Sequence, residues 1–164
     1  MPVTIEQIKA LREATGAGVM DCRSALEEAD GDLEAAQLLL REQGIATASK
    51  RAGRATSQGL IESYIHGGRI GVLVDLRCET DFVARTEPFK ELAHDIAMQI
   101  ASMNPAAVSA DQLEADADPE ATALLDQDFI RDPSKTIADR INDTIASIGE
   151  KVEVARFVRY EMGE

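Results

Sequence analysis

Along residues 4–43 the apolar positions recur every three or four residues, a period that predicts three short helices. Ile5, Ile8 and Leu11 form the stripe of the first. Thr4 opens it as N-cap, and Gln7 three residues on completes a capping box. The Thr15-Gly16-Ala17-Gly18 turn ends it, since both glycines take backbone angles that other residues resist. The second helix carries Cys22, Ala25, Leu26 and Ala29 at i, i+3, i+4 and i+7, and Asp30-Gly31 breaks it. Asp32 caps the third, with Leu33, Ala36 and Leu40 inward and Gly44 as its stop. A bundle of this size lies near the lower limit for independent folding and cannot hide every apolar group. Val19 and Met20, just past the glycine turn, are the expected exposed pair.

The pattern then changes. Residues 45–58 read as an Ala-rich, locally basic linker with room for a helical turn or two, its Lys50, Arg51 and Arg54 forming a solvated face. Beyond it the period drops to two. Leu60–Ile65 and Ile70–Arg77 read as strands joined by the hairpin turn His66-Gly67-Gly68-Arg69. A third strand at Val152–Met162 places Val152, Val154, Val158 and Tyr160 on one face and Ala155 and Phe157 on the other. In the second strand Val72, Val74 and Leu76 share a face while Leu73 lies opposite, so both faces of the sheet carry apolar groups. Between the strands, Thr86 caps a helix with Pro88 in its first turn and Phe89, Leu92, Ala93, Ile96, Ile100 and Met103 inward. Asp132-Pro133 opens another, lined by Ile137, Ile141, Ile145 and Ile148 and ended by Gly149. Residues 104–128 hold seven acidic side chains and no basic one; they read as a solvated connection with one helical turn at Glu120–Leu125. The expected class is α+β. A three-helix module at 1–44 and a linker at 45–58 precede a core at 59–164, in which a three-stranded antiparallel sheet (59–77 and 152–162) packs with helices at 86–103 and 133–148.

Composition narrows what such a chain does. A net charge of −13 works against nucleic-acid binding, which needs clustered Lys and Arg against phosphate, so a role near nucleic acid would run through a protein. No apolar run approaches the ~20 residues of a membrane span, and the run from Met1 straight into a helix pattern leads us to expect no signal peptide. Cys22 and Cys78 are too few for a disulfide framework and lack metal-ligand spacing; they read as reduced core thiols of a cytoplasmic protein. His66 and His94 stand apart from other titratable groups, and a Cys78–His66 dyad across the hairpin is the one nucleophile–base pairing on offer. Gly67-Gly68 is a turn and not a phosphate loop. The chain is expected not to be an enzyme and to need no metal or cofactor. Within Glu79-Thr80-Asp81-Phe82-Val83-Ala84-Arg85, an aromatic ring stands beside a carboxylate at the turn between strand and helix. That turn either reaches a partner or simply caps a short helix with Phe82 in the core.

The heptapeptide occurs together with Leu11-Arg12-Glu13-Ala14-Thr15-Gly16-Ala17-Gly18-Val19-Met20-Asp21-Cys22, the Tyr64–Val74 hairpin and the closing Phe157–Gly163 strand. Found together and in this order, these motifs resemble the elongation factor Ts family over nearly the whole chain. The resemblance implies a guanine-nucleotide exchange factor for the translational GTPase elongation factor Tu, acting in a bacterial cytoplasm. It implies that Thr80, Asp81, Phe82 and Val83 approach the GTPase's magnesium and phosphate region, where Asp81 and Phe82 insert. Arg12, Val19 and Met20, and the hairpin at His66 and Gly67, would dock on the GTPase, the N-terminal helices being a ubiquitin-associated-like module. The chain departs from the family in having one core half where longer relatives have two. It also runs from Ala121–Gln127 directly into Asp128-Phe129-Ile130-Arg131-Asp132-Pro133, where short forms carry additional helices. The single core half and the two-faced apolar sheet lead us to expect a homodimer through a sheet-to-sheet contact, with no disulfide across Val152–Met162. Two alternatives stay open: a ubiquitin-associated-type adaptor for another protein, and a small cysteine-dependent enzyme.

Overall fold

The structure is a computed structural model that describes residues 2–164; Met1 lies outside the described residues. The fold is α+β, with helices first and then a three-stranded antiparallel sheet packed with helices. Two compact units share the chain. One holds residues 1–53 and 142–150, the other residues 54–141 and 151–164.

In the first unit α1 (Ile5–Thr15), α2 (Val19–Glu28) and α3 (Leu33–Arg51) make the bundle. The predicted capping box is formed: the Gln7 N–H donates to Thr4 Oγ1 at 3.2 Å, and the Thr4 N–H donates to Gln7 Oε1 at 2.9 Å. Leu11, Cys22, Ala25, Leu26, Ala36 and Leu40 are the core. Ile5 and Leu33, expected inside, are exposed, because each sits in the first turn of its helix, at the edge of the apolar stripe. Gly44 does not stop α3. The helix passes through it for two further turns, and Gly44 is buried with Asn142 O and Ala146 Cβ close to where its side chain would lie. Residues 45–51, read as linker, are therefore helical. A single glycine weakens a helix without breaking it, and a Cβ at Gly44 would make only ordinary van der Waals contacts, at 3.7 and 3.8 Å.

The second unit is built on β1 (Gln58–His66), β2 (Ile70–Cys78) and β5 (Val152–Glu161), in the order β1-β2-β5. Gly67 and Gly68 make the hairpin turn at φ +57° and +69°. Gly59 is required by close strand approach: a Cβ there would stand 2.1 Å from Leu76 O. Residues 81–84 form a short α4 (Asp81–Ala84), and α5 (Glu87–Met103) lies over β1 and β2. Phe89, Leu92, Ile96 and Ile100 of α5 are buried with Val72, Val74 and Leu76. Met103, predicted inward, is exposed in the last turn.

A β-bulge corrects the predicted faces of β5. Asp75 pairs with Arg156 and Leu76 with Val154, leaving Ala155 as the extra residue. Beyond it the side-chain alternation inverts. Phe157 and Arg159 join the core face opposite Val74 and Val72, and Val158 and Tyr160 turn outward. The guanidinium of Arg159, almost fully buried, then donates to the Ala101 carbonyl in the last turn of α5 (3.1 and 3.3 Å). This satisfies a helix-terminal acceptor that would otherwise need water.

The acidic connection is more ordered than its composition suggests. It contains 3₁₀ turns at Ala110–Gln112 and Leu124–Asp126, and Ala123, Leu124 and Gln127 are buried. The fully buried Gln99 on α5 holds it down: its amide donates to Gln127 Oε1 and Asp128 O, and its carbonyl accepts the Ile130 N–H. Asp132-Pro133 does not open a helix. Residues 132–136 form β4 (Asp132–Thr136), paired with β3 (Asp128–Phe129), and the helix begins at α6 (Ile137–Ile148). Thr136 and Asp139 supply its capping box instead, each side chain accepting the other's N–H.

Candidate functional site

The heptapeptide begins where β2 ends. Cys78 is fully buried, and its thiol donates to the Thr80 carbonyl at 3.1 Å. Thr80 is extended and caps α4, its hydroxyl accepting the Val83 N–H at 3.4 Å. At the far end the Thr86 hydroxyl donates to the Val83 carbonyl at 2.7 Å. Val83 and Ala84 point into the core and anchor the turn. Their neighbours on the helix must then face outward, and they do. Phe82 is 77% exposed, and the Asp81 carboxylate, also exposed, accepts from Arg85 at 3.0 Å. Both readings of this turn are thus half realised: Thr80 caps a short helix, yet Phe82 is outside the core. The ring is thus an apolar group held out in solvent on a turn fixed at both ends.

Of the four heptapeptide residues singled out, Asp81 and Phe82 are presented to solvent, while Thr80 and Val83 hold the turn that presents them. The supporting groups at Glu79 and Thr86 were not singled out from sequence. Thr86 is the N-cap residue of α5, as predicted, but its hydroxyl makes no capping bond there and turns back to Val83. The Glu79 carboxylate accepts the Lys151 N–H at 2.8 Å and pairs with Arg54 at 3.4 Å. These partners lie 72 and 25 residues away, a separation no local pattern reveals.

In the bundle, the turn between α1 and α2 is fixed from within. Thr15 Oγ1 donates to Leu11 O and accepts the Ala17 N–H, and Gly16 takes the left-handed conformation at φ +71°. Burial is the main cause holding the Cys22 thiol above its ordinary pKa, with a hydrogen bond to Thr15 opposing it. Above this, Val19 and Met20 are exposed (49% and 69%), as is Arg12 in the last turn of α1. His66 and Gly67 are exposed at the hairpin tip, with Tyr64 Oη 3.1 Å from His66 Nδ1.

The register removes the cysteine–histidine dyad. His66 pairs with Ile70 and Cys78 with Gln58, at opposite ends of the hairpin, about 27 Å apart along the strands. Among the described residues no cluster of His, Cys, Asp or Glu has the arrangement of a metal site. No helix among them is long and apolar enough to cross a membrane. The outer face of the sheet carries Ile61, Ile65, Leu73, Val158 and Tyr160, all exposed.

Comparison with known proteins places these features in one family. The family described as "Elongation factor TS" matches residues 45–121. Elongation factor Ts of Desulforamulus reducens is 49% identical over 195 aligned residues, which take in 99% of this chain and 90% of that protein. The Moorella thermoacetica protein of the same name is 46% identical, covering 99% of this chain and 96% of the relative. That of Coprothermobacter proteolyticus is 46% identical with both chains covered in full. These alignments run over 195 to 197 positions against 164 residues here, so each relative carries residues with no counterpart in this chain.

Proposed function

The chain belongs to the elongation factor Ts family, and from that premise we propose that it is a guanine-nucleotide exchange factor for elongation factor Tu in translation elongation. In this reading Asp81 and Phe82 enter the GTPase near its magnesium and phosphate groups, and GDP leaves. The observation that carries the proposal is the exposed Phe82 ring, set on a turn whose adjacent residues Val83 and Ala84 are buried. Burying that ring in a partner gains apolar free energy that the isolated chain forgoes, and the rigid turn limits the entropy lost on docking. Asp81 beside it carries a negative charge to a site where it competes with phosphate for the metal's surroundings.

Exchange makes and breaks no covalent bond, so the factor needs no nucleophile, base or metal of its own. It needs only to bind the nucleotide-free GTPase better than the GDP complex. The coupling is reciprocal: the factor weakens GDP by the same ratio as GDP weakens the factor. A ten-thousandfold effect corresponds to about 5.5 kcal/mol. The bundle contributes a second contact through Val19 and Met20 with Arg12 beside them, and the hairpin tip at His66 and Gly67 a third. We further propose that two chains associate through the outer sheet face, covering Ile61, Ile65, Leu73, Val158 and Tyr160. With a net charge of −13 the chain has no use for direct nucleic-acid contact, and local apolar fit, more than steering, selects the GTPase.

The reciprocity supplies the test. Affinity of the chain is measured for nucleotide-free and for GDP-bound elongation factor Tu, and GDP affinity is measured with and without saturating chain. The proposal expects the two ratios to agree and to favour the nucleotide-free form by at least a hundredfold. Equal affinity for both forms would remove it.

A further inference from the structure

We infer that Glu79 is a positioning residue for Phe82, setting the direction in which the ring leaves the sheet; the inference rests on the exchange reading above. The β2–β5 ladder ends at the pair Cys78–Val152. One residue further, the chain turns away toward Phe82, and the next N–H of the opposite segment, that of Lys151, would lose its partner. The Glu79 carboxylate takes it at 2.8 Å, so a side chain continues the ladder where the backbone cannot. The same carboxylate, only 19% exposed, faces Arg54 Nη1 at 3.4 Å. The Lys151 ammonium is occupied elsewhere, by Glu153 at 3.3 Å and the Arg54 carbonyl at 3.3 Å. Glu153 in turn accepts from the Thr56 hydroxyl.

Glu79 is therefore tied both to a main-chain donor beside the sheet, the Lys151 N–H, and to the Arg54 side chain. From Glu79 to the ring there is little slack. The Thr80 carbonyl accepts from both the Cys78 thiol (3.1 Å) and the Ala84 N–H (3.3 Å), and the Thr80 hydroxyl accepts the Val83 N–H. Releasing the carboxylate removes the ties of this residue to Lys151 and Arg54 and leaves the backbone ladder of the sheet in place. The expected consequence is a ring aimed less well and a fold that is largely intact.

The test measures release of labelled GDP from elongation factor Tu at saturating full-length chain, beside thermal unfolding of the chain. Glu79→Ala is expected to lower the saturated release rate about tenfold with a small change in Tm. Glu79→Gln, which keeps an acceptor for the Lys151 N–H, is expected to recover that rate to within about twofold. Added to Phe82→Ala, Glu79→Ala should have no further effect, because it acts through the ring. If Glu79→Ala does not fold, Glu79→Asp, a methylene too short to reach Lys151, replaces it with the same expectation. A full saturated rate for the folded Glu79 variant, or a loss that adds to that of Phe82→Ala, would overturn the inference alone. Unchanged release by Phe82→Ala would overturn the role of the ring and this inference with it, whereas no stimulation of release by the wild-type chain would overturn the exchange reading itself.

Discussion

Phe82 contributes little to the isolated chain, since most of its ring is in water, and this lets its proposed binding role be tested apart from folding. Phe82→Ala should leave Tm nearly unchanged yet slow stimulated GDP release well over tenfold, as expected for a central contact worth about 2 kcal/mol or more. Asp81→Ala should slow release too, more clearly with Mg²⁺ present; an unchanged rate at both magnesium levels would take the carboxylate out of the mechanism. Its ion pair with Arg85 is exposed and contributes only about 0.3–0.5 kcal/mol to the fold, so stability is not a confounding factor. At this scale the sequence pattern was informative about where a ring and a carboxylate stand side by side and uninformative about how they are held. The ring-and-carboxylate pair and the Thr80 cap are adjacent in sequence, so their chemistry is local. The Glu79 bond to Lys151 depends on how β2 meets β5, and no local periodicity encodes it.

Among the elements, capping chemistry and periodicity were reliable where one local signal acted alone. The α1 capping box and the Gly67-Gly68 hairpin formed where expected. Errors arose where packing overrode a local signal: Gly44 was absorbed by α3, and Asp132-Pro133 by the β3–β4 pair, its carboxylate bonded to Ser134 instead of a helix N-terminus. The bulge at Ala155 is an error of another kind, since one unpaired residue inverts all that follows. Two predictions belong here. Gln99→Leu should destabilise the chain by about 1–3 kcal/mol in denaturant unfolding, because it takes the partner from the Ile130 N–H and the Gln99 donor from Gln127 Oε1 and the Asp128 carbonyl. Asp75, mostly buried on the outer face, has its carboxyl held below its ordinary pKa chiefly by hydrogen bonds from Arg77, against the opposing effect of burial. A lowered native pKa means that this contribution is complete above about pH 4 and is lost as pH falls through the lowered value. Thermal unfolding between pH 7 and 2 should show the loss, and Arg77→Met should lower Tm at pH 7 while flattening the acid side of the curve.

At the scale of the whole molecule, α+β architecture followed from the switch of period between residues 43 and 60, and the family motifs spanned nearly the whole chain. What composition could not convey was that residues 104–128 are pinned by a buried glutamine, because acidic and Ala-rich segments look alike whether solvated or packed. The exposed apolar face of the sheet makes the oligomer prediction concrete. Light scattering at micromolar concentration should give twice the 17.7 kDa chain mass, and Leu73→Lys should return it to the monomer. A wild-type monomer with full exchange activity would exclude the sheet-face dimer. Docking by the bundle is separate: Met20→Asp in the full chain should weaken binding to the GTPase by placing an unpaired charge in the contact, while saturating amounts still release GDP.

The most direct measurement follows labelled GDP leaving elongation factor Tu after addition of this chain, beside the folded Asp81→Ala, Phe82→Ala double variant at the same saturating concentration. The account predicts that the wild-type chain accelerates release by orders of magnitude over the spontaneous rate and that the double variant, with unchanged Tm, leaves it close to spontaneous. Equal acceleration by both would contradict it, for the ring and carboxylate at the end of β2 would then not be what expels the nucleotide.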